Sequence, residues 1–216
     1  MKRLVVLVLP LAAAAEPAWF LGGFGGVSTL SADGAFAIRG NTSAQAQYKP
    51  ENGPTVVAFA GSHLHDYLAV QLTYGWNRNT ATLSAVEAGT APVAYEQGRR
   101  NQQHTVMGEG LLYFRNRRSW ARPYLTAGVG VHHLRSTATG RSIQIGQPVL
   151  PPGEFSRTGP AFRVAVGIDL FLRGGFAWRY SFSETIQGNP ISQQLSPQGA
   201  RNLANFQNLF GFAWHF

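Results

Sequence analysis

The closing segment, residues 205–216, constrains this chain most. Phe206, Phe210, Phe212, Trp214 and Phe216 fall on one parity, and Gln207, Leu209, Gly211, Ala213 and His215 on the other. Successive side chains of a strand point to opposite faces, so one face here is bulky and aromatic and the other small or polar. A water-soluble protein has to cover such a face with a second layer, whereas a membrane barrel turns it toward lipid. The sequence stops on Phe216, directly after the alternation.

Other segments follow the same rule. Phe176, Trp178, Tyr180 and Phe182 alternate with Ala177, Arg179 and Ser181, and Phe162, Val164, Val166, Ile168 and Leu170 with Arg163, Ala165, Gly167 and Asp169. Only 171–174 separates these two, which reads as a tight hairpin. Leu68, Val70, Leu72, Tyr74 and Trp76 form a further face, as do Val106, Leu112 and Phe114, and Leu125, Ala127, Val129 and Val131. Val57 and Phe59 belong to a strand ending near His63. The stretch from Trp19 to Leu30 is a strand whose facing is ambiguous, because Gly22, Gly23, Gly25 and Gly26 interrupt it.

Eight strands result. The expected connections alternate in length: short near 63–66, 115–121 and 172–174, long and polar near 31–54, 77–102, 136–157 and 185–204. Short turns on one side and long loops on the other are the habit of transmembrane barrels, and an even count returns both termini to the short-turn side.

The amino terminus agrees. Met1-Lys2-Arg3 supplies a positive start, Leu4 to Leu11 an apolar stretch, and Ala12 to Ala15 small residues before Glu16-Pro17. This is a secretory signal pattern, so residues 1–15 are expected to be a cleaved leader and 16–216 the barrel domain. No later segment approaches the run of about 20 apolar residues that a spanning helix needs. The chain contains no Cys, which excludes disulfides and a lipid-modified Cys after the leader.

From Trp19 to Phe216 the chain resembles the small outer-membrane β-barrel family, typified by the OmpA-like transmembrane domain. The leader, the eight alternating segments and the aromatic terminal strand carry that resemblance. It implies an all-β, eight-stranded antiparallel up-and-down transmembrane barrel with short periplasmic turns and four long extracellular loops. It also implies that the bacterial barrel-assembly machinery reads the terminal strand ending at Phe216, and that outer-membrane lipid and lipopolysaccharide surround the barrel. No peptidoglycan-binding domain follows the barrel in this sequence, so a tether to the cell wall is not expected.

On these facings Glu109, Arg163, Asp169 and Arg179 point inward. An eight-stranded barrel has an interior just wide enough to be filled by side chains, where unpaired charge is costly, so the two acids are expected to pair with the two arginines. Phe176, Trp178, Tyr180, Phe182, Phe210, Phe212 and Trp214 are expected to face lipid.

Catalytic and metal readings fare poorly. His63 and His65 would share a strand face, but a metal site needs about four ligands and only two or three can be named here. Lipid A deacylases of this architecture use a His and a Ser two residues apart, and the nearest match, Arg179-Tyr180-Ser181, has arginine where the base should be. Arginine stays protonated and cannot act as that base. No cofactor, metal or catalytic residue is expected.

The formal charge of +8 falls to +6 when Lys2 and Arg3 leave with the leader. Arg78, Arg99, Arg100, Arg135, Arg141 and Arg157 lie at strand ends or in the long connections, where arginine suits lipopolysaccharide phosphates. A leader and a lipid-facing surface argue against nucleic acid. The expected role is structural or surface-interactive, with a partner for the loops that the residues do not name. The alternatives are a barrel that binds or transports a small or hydrophobic solute, a lipid A-modifying enzyme, and a soluble barrel with its aromatics turned inward.

Overall fold

The computed structural model describes residues 19–89 and 92–216; the expected leader, residues 1–15, lies outside them. It contains ten strands: β1 (Trp19–Leu30), β2 (Asp33–Arg39), β3 (Thr42–Pro50), β4 (Gly53–His63), β5 (Leu68–Ala88), β6 (Val93–Tyr113), β7 (Ala121–Ile145), β8 (Glu154–Phe171), β9 (Phe176–Gly188) and β10 (Asn202–His215). Eight of them, all but β2 and β3, form an antiparallel ring in the order β1-β4-β5-β6-β7-β8-β9-β10. The first and last strands close the ring, paired from Phe20 with His215 to Leu30 with Asn205. Trp19 and Phe216 extend the seam by exchanging backbone hydrogen bonds of 3.0 and 2.9 Å.

Glycines allow β1 to approach β10 closely. A Cβ at Gly22 would strike the Phe212 carbonyl and the Phe59 ring, and one at Gly26 the Asn208 carbonyl. The glycines that blur the facing of β1 in the sequence are therefore part of what seats the closing strand.

Alternation of burial runs through the ring. Leu21, Val56, Leu72, Val106, Val129, Val166, Phe182 and Phe210 all point outward and are exposed. An apolar belt of this extent would drive association in water, and it suits a surface in contact with lipid. Three connections at one end are short, at 64–67, 114–120 and 172–175, the last using Gly174 and Gly175 at φ 75° and 79°.

At the other end the strands run on. β5 and β6 each have 21 residues and β7 has 25, against the 9–11 or so that crossing a bilayer requires. Most of the stretch expected as a loop at 77–102 is the upper half of the β5–β6 hairpin. The stretch at 31–54 holds the β2–β3 hairpin, turned at Gly40 (φ 61°) and Asn41, with β3 laid against Ala81–Ala88 of β5. The polar composition of these stretches hides strands that stand in water on one face and need little apolar side chain there. Two hydrophobic clusters follow. One lies inside the ring around Phe20, Phe59 and Tyr124, and the other caps its long-connection end around Leu30, Tyr48, Leu83, Ile191 and Leu203.

Candidate functional site

Charge, aromatic rings and amides converge in the interior of the ring, which is built in layers. At the short-turn end, Phe20, His63, Tyr113, Phe171 and His215 stack. Ring centroids lie 5.1 Å apart for Phe20–His63, 5.5 Å for His63–His215 and 4.8 Å for Phe171–His215. Arg122 lies over Tyr113 at 3.8 Å and donates from Nη2 to the Asp66 carbonyl at 2.7 Å, tying the stack to the neighbouring turn. His65 is exposed in that turn beside Tyr67, because β4 ends at His63; the two histidines do not share a face. Among the described residues, no group of three or more possible metal-ligating side chains is assembled.

The next layer is an ion pair between neighbouring strands. β8 and β9 place Asp169 directly opposite Arg179. Arg179 donates from Nε to Oδ1 at 2.5 Å and from Nη2 to Oδ2 at 2.6 Å, a forked geometry. Tyr113 donates to the same carboxylate at 3.0 Å and accepts from Arg179 at 2.9 Å. The rings of Phe59, Phe20 and Tyr124 surround the guanidinium, with their centroids 4.7, 5.3 and 5.3 Å from its carbon. Both charges are fully buried, so each depends on the other and on the hydroxyl between them.

Glu109 and Arg163 form a looser pair, with Nε 3.6 Å from the carboxylate. Glu109 also accepts from Gln71 at 2.7 Å and from Thr73, while Arg163 donates to Ser183 at 3.0 Å. Gly128, opposite Glu109 on β7, leaves the space its side chain occupies. Above this pair the lining turns to uncharged amides. Asn77 bonds Asn79 at 2.9 Å, Ser28 bonds Asn205 at 2.7 Å, and Gln187 bonds Gln103 at 2.9 Å.

The second hydrophobic cluster covers the amides. Arg99 sits fully buried there, donating to Gln97 at 2.7 Å, to Ser136 at 2.9 Å and to the Pro152 carbonyl at 3.0 Å. The segment 189–201 folds over the mouth, held where Asn189 donates to Tyr48 at 3.1 Å. Burial at this end raises the Tyr48 hydroxyl above the ordinary tyrosine range and keeps it a donor and acceptor rather than an anion.

The structure thus brings all four polar residues named from the sequence to the interior, as two pairs. It adds Arg122, Phe20, Phe59, Tyr113 and Tyr124, which the sequence reading missed, and it removes Arg99 from the arginines expected to meet lipopolysaccharide, since Arg99 is fully buried under the capped end. Arg122 shares a parity with Tyr124 and Thr126 just ahead of the stretch expected as a strand, and Arg99 with Gln97, Asn101 and Gln103, a signal obscured by assigning 77–102 to a connection.

The named aromatics lie on the outer surface. Phe176, Trp178, Tyr180 and Phe182 on β9 stand beside Phe210, Phe212 and Trp214 on β10, with Tyr180 4.9 Å from Phe210. Phe216 packs on Trp214 at 4.8 Å. Where the apolar belt ends, outward positions carry Arg78, Gln102 and Arg135 in register across three strands, with Arg100 one outward position further. Arg135 grips Glu154 at 2.8 and 3.0 Å, and those hydrogen bonds hold the exposed Glu154 carboxyl below the usual carboxylate range.

Comparison with known proteins agrees with this architecture. The outer membrane protein beta-barrel domain matches residues 4–216, and the chain belongs to that family. The protein is a β-barrel of the bacterial outer membrane. Among solved structures it is similar to Neisserial surface protein A, at 12 % identity over 92 % of this chain and 97 % of that one, with a TM-score of 0.56. More distant likenesses include the N-terminal β-barrel domain of Pseudomonas aeruginosa OprF (10 % identity, 93 % and 100 % covered, TM-score 0.47). Another is Ail of Yersinia pestis, solved with the heparin analogue sucrose octasulfate (8 % identity, 93 % and 100 % covered, TM-score 0.48). No curated protein matches the sequence.

The Asp169–Arg179 pair yields a sharp expectation. Asp169→Asn leaves Arg179 buried without a counter-charge and should cost about 3–5 kcal/mol, whereas Asp169→Leu with Arg179→Met removes both charges and should recover most of that loss. Urea unfolding of the three proteins in lipid vesicles measures the difference. Equal stability of Asp169→Asn and the parent would show that the pair does not hold the interior.

Proposed function

We propose that this barrel is closed along its axis and serves the outer membrane as a structural and surface-presenting protein rather than as a channel or an enzyme. The observation that carries the reading is the filled interior. Aromatic, ionic, amide and apolar layers succeed one another from His63 and His215 to Ile191 and Leu195, with buried side chains in each. Arg179, the residue standing where a deacylase would need its base, is engaged by Asp169, which supports a non-catalytic reading.

Lipid and lipopolysaccharide are the partners this surface fits. The aromatic rows of β9 and β10 would sit in the hydrocarbon. Arg78 and Arg100, outward beyond the apolar belt, would meet lipopolysaccharide phosphates, since arginine binds phosphate through forked hydrogen bonds. The terminal strand ending at Phe216 fits recognition by the barrel-assembly machinery, and residues 1–15 fit a cleaved leader ahead of a 16–216 barrel domain. Rigid β-structure beyond the membrane, rather than loose loops, is what the protein offers to the outside.

Planar-bilayer recording tests closure. The parent and Glu109→Gln should both stay at the baseline of the empty bilayer, and a steady ohmic current through the parent would transfer the reading to solute transport. The phosphate contact has its own test. Vesicles containing lipid A should protect the parent from urea more than phosphatidylcholine vesicles do, and Arg78→Ser with Arg100→Ser should remove that extra protection. Equal protection by both lipids would eliminate the phosphate reading.

A further inference from the structure

Beyond the membrane belt the ring wall continues as an open sheet, in the order β2-β3-β5-β6-β7, made from the two added strands and the upper halves of three ring strands. β2 is its edge. It pairs with β3 through all seven residues, from Asp33 with Tyr48 to Arg39 with Thr42, and among the described residues no other strand pairs with it. Natural edges are usually blunted by proline, lysine, a bulge or a cover. β2 reads Asp33-Gly34-Ala35-Phe36-Ala37-Ile38-Arg39, without proline or lysine and with an unbroken register to β3. Its large apolar side chains, Phe36 and Ile38, are 63 % and 68 % exposed.

We propose that this edge pairs with β2 of a second copy of the same chain, antiparallel and centred on Phe36. The segment is self-complementary in that register. Asp33 falls opposite Arg39 at both ends, Ala35 opposite Ala37, and Phe36 opposite its twin. Gly34 faces Ile38 and leaves room for the branched side chain. Opposite charges and apolar pairs set directly across strands are the contacts that stabilise a sheet. Sliding by two residues in either direction breaks both Asp33–Arg39 pairs, so charge selects one register. Asp33 is held in place by the Gly34 backbone N–H at 2.8 Å, by the Ser192 hydroxyl and by the Ala200 N–H, while Arg39 is exposed.

A twofold interface of this kind satisfies both edges at once and stops at two copies. The axis runs perpendicular to the sheet. Where the sheet stands upright as a continuation of the ring wall, that axis lies in the membrane plane and the pair joins molecules in facing membranes.

The chain has no cysteine, so single cysteines report the register directly. Folded full-length protein in detergent, its fold checked by mobility of unboiled samples, is oxidised and run without reductant. Phe36→Cys should cross-link to a dimer, because twofold pairing puts that residue against itself. Ala35→Cys alone should cross-link little, since its partner is Ala37. Adding Arg39→Asp to Phe36→Cys should lower the dimer by about tenfold, and adding Arg39→Lys should preserve it. Monomer only from Phe36→Cys, equal cross-linking from Ala35→Cys, or indifference to Arg39→Asp would each overturn the proposal. Light scattering of the parent adds a check: assemblies larger than two would point to a non-closing contact and overturn it as well.

Discussion

In hydrocarbon there is no water to take up a free backbone N–H or C=O, and everything else in this molecule follows from that constraint. A sheet can obey it only by closing, which here means joining β1 to β10 from Phe20 and His215 to Leu30 and Asn205. Gly22 and Gly26 let the two backbones approach. With eight strands closed, the interior is narrow enough to be filled by side chains. The apolar belt, the small inward residues and the paired charges are consequences of that closure.

The interior resolves a conflict. Four arginines and two carboxylates lie buried among the interior layers at Arg99, Arg122, Arg163, Arg179, Glu109 and Asp169. The molecule handles the excess cation with rings and carbonyls as well as with carboxylates. Arg122 lies on Tyr113 and donates to Asp66, and Arg179 sits among Phe20, Phe59 and Tyr124 as well as on Asp169. Cations over ring faces keep favourable electrostatics where water is scarce. The result is a rod of locked side chains beneath a capped mouth, suited to supporting the β-structure above it.

Sequence reasoning reaches the strands whose two faces differ most. β8, β9 and β10 were legible because bulky residues point out and small or polar ones point in. β1 and β4 break that rule: Phe20, Phe24, Val57 and Phe59 turn inward, Phe20 and Phe59 against Arg179, so parity alone could not orient these strands. The two luminal acids and their two arginines were readable from parity, but the choice of partner was not, because it depends on register: the β8–β9 hairpin sets Asp169 opposite Arg179, and Glu109 meets Arg163 over Gly128 of the strand between them. The β2–β3 hairpin escaped notice because alternating Ala and Gln in Thr42–Gln47 carries almost no apolar contrast. Arg99 and Arg122 were hidden because the strands that carry them, β6 and β7, begin earlier than the alternation suggests.

Electrophoretic mobility of the protein from isolated outer membranes, with and without boiling, tests the central claim most directly. A closed barrel held by its seam and its filled interior resists detergent at room temperature, so the unboiled sample should migrate faster and shift to its full apparent mass on boiling. Identical mobility of the two samples, with the protein recovered in the soluble periplasmic fraction, would contradict the account. It would mean that the aromatic faces of β9 and β10 are covered by protein rather than by lipid.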